Sequence, residues 1–205
     1  MPISKKEELV IEFLLESPVE EVNINQIARK TKQSVGSAFN AVKELEEKKI
    51  LNSNKKANSI FYNLNLENSV CRKIIELILA GNFEKFLETN KIKPDDIYSL
   101  YDFLEDLLYS IIIYDKTFYL IKKENDSKIN ELLNLLKNLP VFAKLKYEEI
   151  SKKDFLYIIL QKRKENFLRQ GIVIFGFHNI TSLLYSLFKT INKQKEIELW
   201  IRNPS

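Results

Sequence analysis

The sequence predicts an α+β protein in three parts, and three features carry that prediction. Apolar residues recur at helical spacing over the first 50 residues, two strand-like segments then surround a polar loop, and strand-like and helical segments alternate from Tyr109 onward. We therefore divide the chain into 1–66, a helical connector at 67–108, and 109–205, a compact α/β layer of about 100 residues.

The first part begins with two helices. KKEELVIEFLLE at 5–16 has an apolar stripe at helical spacing and stops before Ser17-Pro18. A short extended piece, EVNI, follows. Asn25 then suits the N-cap of a second helix, QIARKTK, because an asparagine side chain can accept a hydrogen bond from a backbone N–H of the first turn.

A third helix and a hairpin complete this part. Ser34 suits the N-cap of a helix that runs to about Lys49, and strand-like segments at 50–51 and 60–66 flank a polar loop, NSNKKANS. Asparagines tolerate turn geometry, so we expect a hairpin with a basic tip. The inward-facing residues of the third helix share one arc of the helical wheel: Ala38, Ala41, Val42 and Leu45.

Charge is distributed unevenly along the first part. Residues 1–28 hold two lysines and six glutamates, net −4, whereas residues 29–64 hold eight basic residues and three glutamates, net +5. The net charge of the whole chain, +4, is small enough to be explained by solubility alone. The uneven distribution predicts a basic face in the second half of this part.

A family resemblance rests on these residues. INQIARKTKQSVGSAFNAVKELEEKKIL resembles the helix-turn-helix of winged-helix DNA-binding regulators, and NSNKKANSIFYNL is similar to their wing, so that the likeness covers about residues 5–65. Lys49 stands where such proteins commonly have a glycine. The resemblance implies a recognition helix whose N-terminal residues reach base edges in the major groove, with lysines and arginines around it on phosphates.

The resemblance also implies which residues contact DNA. We assign base-edge contacts to Ser34, Ser37 and Asn40, and Asn40 could pair bidentately with adenine. We leave Phe39 out, because it flanks the inward arc and we expect it to pack against the second helix. Six basic residues are assigned to phosphate contacts: Arg29, Lys30, Lys32, Lys43, Lys55 and Lys56.

The connector is expected to be helical. An apolar stripe of Val70, Ile74, Leu77 and Ile78 ends at Gly81, which we expect to be a helix C-cap. A second boundary falls at Lys93-Pro94, where Asp95 and Asp96 suit a helix N-terminus better than a catalytic role. In winged-helix proteins the helix after the wing commonly mediates dimerisation, so the resemblance implies a homodimer that reads two half-sites.

The third part alternates strands and helices. We expect Asp126 or Ser127 to cap its first helix, and Asn179 or Thr181 its last. The predicted elements are strands at 110–114 and 118–123, a helix at 126–139, a strand at 141–147, a helix at 151–170, a strand at 171–177 and a helix at 179–191.

A second resemblance concerns this part. KLKYEEISKKDFLYIILQKRKENFLRQGIVIFGFHNITSLLY strongly resembles the C-terminal end of minimal nucleotidyltransferase-fold proteins, which in archaea often follow a winged helix on the same chain. Active members carry a Gly-Ser loop, an Asp-x-Asp and a further carboxylate, and these acids bind Mg²⁺. DKTFYLI after the first strand offers none of them, so we expect a degenerate domain without catalytic residues, metal or cofactor.

Other chemistry is limited by composition. One cysteine, Cys71, and one histidine, His178, provide no ligand set for zinc. The four glycines, at positions 36, 81, 171 and 176, form neither G-x-G-x-x-G nor G-x-x-x-x-G-K-S/T, so a Rossmann or Walker phosphate loop is excluded. The longest apolar runs are shorter than the roughly 18 residues that a membrane span needs, and MPISKKEEL is no secretory signal, so we expect a cytoplasmic protein without a membrane partner.

These observations lead to one functional hypothesis and two rivals. We expect a sequence-specific DNA-binding transcriptional regulator whose last part mediates dimerisation or recruits a partner such as a component of the transcription machinery. The first rival is a divergent nucleotidyltransferase, antitoxin-like, that uses Asp115, Glu124 and Asp126. The second is an adaptor whose winged helix binds protein instead of DNA.

Overall fold

The computed structural model describes residues 3–16, 18, 20–98, 101–123, 128–138, 140–160 and 171–202. The chain separates into two compact units, described one at a time. The first unit comprises Met1–Leu14, Pro18–Arg72 and Thr181–Ser205, and the second comprises Leu15–Ser17 and Lys73–Ile180. The boundaries expected at 66 and 108 stay a prediction.

Residues 5–64 of the first unit form three helices and a small antiparallel sheet. Its strands lie in the order β1-β3-β2, so the short strand before the second helix pairs with the hairpin. This arrangement is the winged-helix topology, which confirms that part of the predicted fold. The elements are α1 (Lys5–Leu14), β1 (Val22–Asn23), α2 (Ile24–Thr31), α3 (Val35–Glu47), β2 (Leu51–Lys56) and β3 (Ser59–Leu64).

Side-chain caps fix where these helices begin. Asn23, not the expected Asn25, is the N-cap of α2: its side chain accepts from Gln26 N at 3.0 Å, and Gln26 Oε1 accepts from Asn23 N at 2.8 Å. The expectation failed because both asparagines can cap, and the glutamine three residues after Asn23 decides between them. Ser34 caps α3 as expected, accepting from Ser37 N at 3.2 Å.

Left-handed residues end the two helices of the helix-turn-helix. Lys32 (φ 55°) follows α2 and Lys49 (φ 57°) follows α3, and the next N–H in each case bonds back into the helix, as in Gln33 N to Ala28 O at 3.0 Å. Lysine carries a Cβ that makes this conformation unfavourable relative to glycine. The turn nevertheless forms, and buried Thr31 satisfies its hydroxyl on Ile27 O at 2.8 Å.

The hairpin is longer than expected. Residues 52–56, assigned to a loop, belong to β2, and the turn is confined to Ala57 and Asn58 between the paired Lys56 and Ser59. Lys55 and Lys56 therefore lie on the last residues of a strand instead of a loop. An extended strand holds these two lysines more rigidly than a free loop would.

The core of the first unit is apolar and confirms the predicted face of α3. All four residues expected to face inward, Ala38, Ala41, Val42 and Leu45, are at most 6 % exposed. Fully or almost fully buried partners come from the other helices and the sheet: Val10, Ile11, Ile27, Ile50, Leu51, Tyr62, Leu64 and Leu66.

The helix after the wing, α4 (Ser69–Asn90), corrects the expected connector. It continues through Gly81, so this glycine is not a C-cap. Ile74 and Ile78 are buried as expected, but Val70 and Leu77 are 53 % and 50 % exposed. The buried face of α4 is rotated about the helix axis from the predicted stripe, because Cys71, Ile75 and Leu79 are buried beside Ile74 and Ile78.

Further helices and a mixed sheet follow. The predicted start of a helix at Pro94 is confirmed, but a short helix replaces the strand expected from residue 141, and the strand there begins only at Lys146. The elements are α5 (Pro94–Tyr98), α6 (Tyr101–Leu107), β4 (Leu108–Tyr114), β5 (Thr117–Lys122), α7 (Ile129–Lys137), α8 (Pro140–Ala143), β6 (Lys146–Ser151), α9 (Lys152–Leu160), β7 (Ile172–Phe175) and α10 (Phe177–Arg202).

The sheet has the order β6-β5-β4-β7. β4 pairs antiparallel with β5 and β7, and β6 joins β5 in parallel. Asp115 and Lys116 alone join β4 to β5, with φ of 47° and 59°, so no helix intervenes between these strands, as the sequence predicts. Both faces of the central strands are buried, including Ile111, Ile112, Phe118 and Leu120.

The expected caps in this part have mixed outcomes. Asp126 and Ser127 lie outside the described residues, and the described N-cap of α7, Lys128, makes no side-chain capping bond. Neither Asn179 nor Thr181 caps the last helix, because α10 already begins at Phe177. The Asn179 amide instead donates to Tyr109 O at 2.8 Å.

Candidate nucleic-acid interface

The outer face of α3 is open at its N-terminal half. Ser34, Gly36 and Asn40 are exposed and Ser37 is partly exposed, whereas the buried arc holds the helix against the core. No charged residue occurs in the helix before Lys43, and the acidic residues Glu44, Glu46 and Glu47 follow it. The N-terminal half of α3 therefore carries no negative charge that would repel a polyanion.

The two serines assigned to base contacts also support the fold. The Ser34 hydroxyl accepts the Ser37 backbone N–H as the N-cap, and the Ser37 hydroxyl donates to Gln33 Oε1 at 3.1 Å. Gln33 in turn donates to Lys6 O at 3.2 Å, which links α1 to the turn before α3. A hydroxyl both donates and accepts, so Ser34 retains a donor and Ser37 an acceptor for a ligand.

Asn40 differs from the serines. Its side chain is exposed, and its amide makes no hydrogen bond with any residue in the part of the chain that the structure describes. An amide offers two donors and an acceptor within one plane, which is the pattern needed for a bidentate contact with the adenine edge. A shallow depression beside it is lined by Ser4, Lys6, Ser37, Ala41 and Glu44.

All six basic residues assigned to phosphates belong to the first unit and are exposed. Arg29 and Lys30 lie at the end of α2, Lys32 occupies the turn, and Lys55 lies near the tip of the wing. Lys43 is 3.9 Å from Glu47, an exposed pair that contributes little to stability and can be exchanged for a stronger anion.

Lys56 is more engaged than the others. It forms an ion pair with Glu21, which precedes β1, and its ammonium lies 5.7 Å from the centre of the Phe61 ring. Asn54 Nδ2 also donates to Glu21, at 3.4 Å. These contacts attach the wing to β1, so a phosphate would have to compete with a carboxylate for Lys56.

The wing is attached to α3 as well. The Ser53 hydroxyl donates to the Glu46 carboxylate. Burial, and then the negative charge of Glu46, raise the pKa of Tyr62 on the neighbouring strand. The α2–α3 turn is thus joined to the start of α3 through Gln33 and Ser37, and the wing is joined to its C-terminal part through Ser53 and Glu46.

Phe39 is a residue that the sequence reasoning misplaced. It is 49 % exposed and does not pack into the core as expected, and Val35, one turn earlier, is 52 % exposed. The helical wheel contained the signal, since residues 35 and 39 lie on one side of the arc formed by 38, 41, 42 and 45. The surface formed by Val35, Gly36, Phe39 and Asn40 is called the α3 outer face below.

A partly buried ion pair joins α1 to the C-cap of α3. Glu7 is 1 % exposed and accepts from Lys48 Nζ at 2.6 Å, and it forms a capping box with Ser4. Burial alone would raise the pKa of Glu7, but the hydrogen bonds from Lys48 and Ser4 outweigh it, and the pKa of this carboxyl is lowered. The spacing Ser4-x-x-Glu7 is a sequence signal that the helix assignment did not use.

Two described residues within the nucleotidyltransferase resemblance, Asp154 and Phe155, have structural contacts, and residues 161–170 of that segment lie outside the described residues. Asp154 accepts from the Ser151 hydroxyl at 2.7 Å, and Phe155 is fully buried. Of the acids in the rival proposal, Asp115 lies in the β4–β5 turn, and Glu124 and Asp126 lie outside the described residues. Among the described residues, no three His, Cys, Asp or Glu side chains form a group that could hold a metal ion.

No family model matches the chain, and no curated protein matches it by sequence. Among solved structures it is similar to MepR, a transcription regulator of the Staphylococcus aureus multidrug efflux pump MepA, with 16 % identity, a TM-score of 0.37, and 51 % of this chain and 76 % of that chain covered. It is also similar to Lactococcus lactis ZitR, a zinc-responsive MarR family member, with 20 % identity, a TM-score of 0.34, and coverage of 51 % and 73 %.

These TM-scores are too low to support a conclusion about fold or function. The winged-helix assignment therefore depends on the strand order and helix positions described above. In the described part of the chain, no helix is both long enough and apolar enough to cross a membrane.

Proposed function

We propose that the protein is a sequence-specific DNA-binding transcriptional regulator and that α3 is its recognition helix. The observation that carries this proposal is the unengaged Asn40 amide on the open half of α3, together with exposed basic residues at the end of α2, in the α2–α3 turn and on the wing. Major-groove recognition needs these two components: a planar donor and acceptor group for base edges, and cations for phosphates.

The test separates the two components. Binding is measured by mobility shift with a duplex from the protein's own upstream region and with a scrambled duplex of the same composition. Asn40→Ala should remove the preference for the specific duplex, a loss of about 5- to 100-fold for one bidentate base contact. Lys55→Ala should weaken both duplexes equally, because a phosphate contact is blind to sequence.

Lys85→Ala is the matched control, since Lys85 is an exposed lysine on α4 in the second unit. It should bind both duplexes like the wild type. The regulator proposal fails if the wild type shifts neither duplex at any ionic strength, and that result would favour the protein-binding adaptor.

We also propose that the C-terminal part, residues 109–205, is not catalytic and acts in dimerisation or in recruiting a partner such as a component of the transcription machinery. The two-residue turn between β4 and β5 supports this proposal, because it leaves no room there for a phosphate-binding loop and helix. Magnesium-dependent transfer of a labelled nucleotide, tested with all four triphosphates, would contradict it. Sedimentation equilibrium should give the mass of a homodimer.

A further inference from the structure

The α3 outer face contains two apolar residues that the proposed function does not yet use. Val35 and Phe39 are one helical turn apart and about half exposed. Single exposed apolar residues need no explanation. Two of them side by side, next to an unengaged amide and in a unit whose α2–α3 turn and wing carry exposed basic residues, indicate a contact surface for a ligand that is partly apolar and carries negative charge.

Gly36 points to the same ligand surface. A Cβ built on this residue would have no atom within 4 Å, so nothing in the fold requires a glycine there. Glycine is less favourable than alanine in a helix, and its usual benefit is the close approach of another molecule to the backbone. The missing side chain leaves a gap between Val35 and Asn40 on the exposed side of the helix.

An A·T base pair matches this combination of groups. In the major groove its edge presents the adenine N6 and N7 atoms beside the thymine 5-methyl group. Asn40 supplies the complement to adenine, and the neighbouring Phe39 and Val35 supply apolar surface for methyl groups. A G·C pair offers no methyl group, and its exposed amino and carbonyl groups would lose water against these apolar side chains without gaining a hydrogen bond.

We propose that the α3 outer face reads A·T base pairs, with Asn40 on adenine and with Phe39 and Val35 on thymine methyl groups. This inference rests on the proposed DNA binding and specifies which base pairs the recognition helix selects. It makes Phe39 and Val35 residues that determine specificity, in addition to the polar residues already assigned.

The test uses a preferred duplex chosen from a random pool by the full-length protein. Each thymine is replaced in turn by deoxyuridine, which keeps base pairing and removes only the methyl group. The wild type should lose about fourfold in affinity at a contacted thymine, the value for one buried methyl group. Phe39→Ala should bind more weakly than the wild type and lose this deoxyuridine penalty at one or more positions.

Adenine is tested separately with 7-deazaadenine, which lacks the N7 acceptor. The wild type should lose about fivefold or more at the adenine that Asn40 contacts. Asn40→Ala should show no further loss there. Leu135→Ala, which removes an exposed leucine from the second unit, is the control for Phe39→Ala and should leave both penalties unchanged.

Two glycine variants test whether DNA approaches the backbone of α3 closely at Gly36. Gly36→Ala should lower the affinity by about tenfold, a loss equivalent to one contact, while the melting temperature stays equal or rises. Gly81→Ala, at the other helical glycine with open space around its Cβ, should leave the affinity unchanged. Far-UV circular dichroism of each variant confirms that it is folded.

The outcomes distinguish this inference from the proposed function. If no duplex binds, both fall. If the selected duplex binds but tolerates deoxyuridine at every thymine, DNA binding stands and the A·T inference is overturned. If Phe39→Ala binds unmodified DNA like the wild type, the inference is also overturned, and the apolar pair is left for a protein partner.

Discussion

The two units use their polar side chains differently. In the first unit the open half of α3 leaves Asn40 without an intramolecular hydrogen bond among the described residues, and the surrounding cations lie at the surface. In the second unit prominent polar groups are used within the fold: Ser110 donates to Phe175 O at 2.6 Å in a buried position, and Asn179 donates to Tyr109 O. A candidate ligand-binding face thus has a polar side chain without a hydrogen bond inside the fold, whereas a structural scaffold uses its polar side chains for internal hydrogen bonds.

The largest loss of stability is expected at a close contact between two backbone segments of the second unit. Gly176, between β7 and α10, has φ 75°, and a Cβ there would lie 2.0 Å from Tyr109 O. Gly176→Ala should therefore cost more than about 3 kcal/mol of unfolding free energy, because the neighbour is backbone and cannot move aside cheaply. Urea denaturation measures this loss.

Gly81→Ala is the control for this prediction. Its position is helical and open, so it should stabilise the protein by about 0.5–1 kcal/mol. Equal stability of both alanine variants would show that the close approach at Gly176 does not constrain the fold. The claim that the second unit is a rigid scaffold would then be contradicted.

An intermediate loss of stability is expected when the partly buried ion pair between Lys48 and Glu7 is broken. Lys48→Met leaves the Glu7 carboxylate buried without its charged partner. Since Lys48 is itself 41 % exposed and partly screened by solvent, we expect a loss of about 1–2 kcal/mol at neutral pH. Thermal or urea denaturation of the variant and the wild type gives the difference.

The same pair predicts a pH dependence. The pKa of Glu7 is lowered in the folded state, so the folded protein binds fewer protons there than the unfolded chain. The contribution of this group to stability is present above the ordinary glutamate pKa of 4.5 that holds in the unfolded chain, and it is lost as pH falls through the lower pKa of the folded state. Lys48→Met should flatten this loss between neutral and acidic pH; an unchanged pH profile would contradict the role of the pair.

The smallest expected change is a gain in stability instead of a loss. Lys49 ends α3 with φ 57°, and its carbonyl accepts from the Asn65 and Asn68 amides, both at 2.9 Å. Lys49→Gly should relieve the unfavourable conformation and stabilise the protein by about 0.5 kcal/mol after the entropy of glycine in the unfolded chain is counted. Lys49→Ala, which removes the charge but keeps a Cβ, should change little.

Some predictions that rest on a clear hydrophobic pattern were confirmed, whereas several that depend on weaker local signals were wrong. The buried arc of α3 was predictable because the opposite arc carries the polar residues Asn40, Lys43 and Glu47. The N-cap of α2 was assigned to Asn25 because the capping box of Asn23 with Gln26 was overlooked. The strand expected at 141–147 failed because Pro140 begins a four-residue helix, and proline suits a first helical position.

The candidate site was only partly predictable for a physical reason. Residue type and helical position were enough to place Asn40 and the basic residues on the surface. Sequence alone could not show that Ser34 and Ser37 also hold the turn together or that Glu21 pairs with Lys56, because these contacts join residues that are brought together only by the folded wing and turn.

The salt dependence of DNA binding tests the central claim most directly. Fluorescence anisotropy with a labelled duplex gives the association constant of the full-length protein over a series of salt concentrations. We predict that the logarithm of this constant falls linearly with the logarithm of salt concentration and that Lys55→Ala reduces the slope by about 1, while Lys85→Ala leaves it unchanged. Absent binding, or one slope shared by all three proteins, would contradict the claim that the first unit holds duplex DNA against α3.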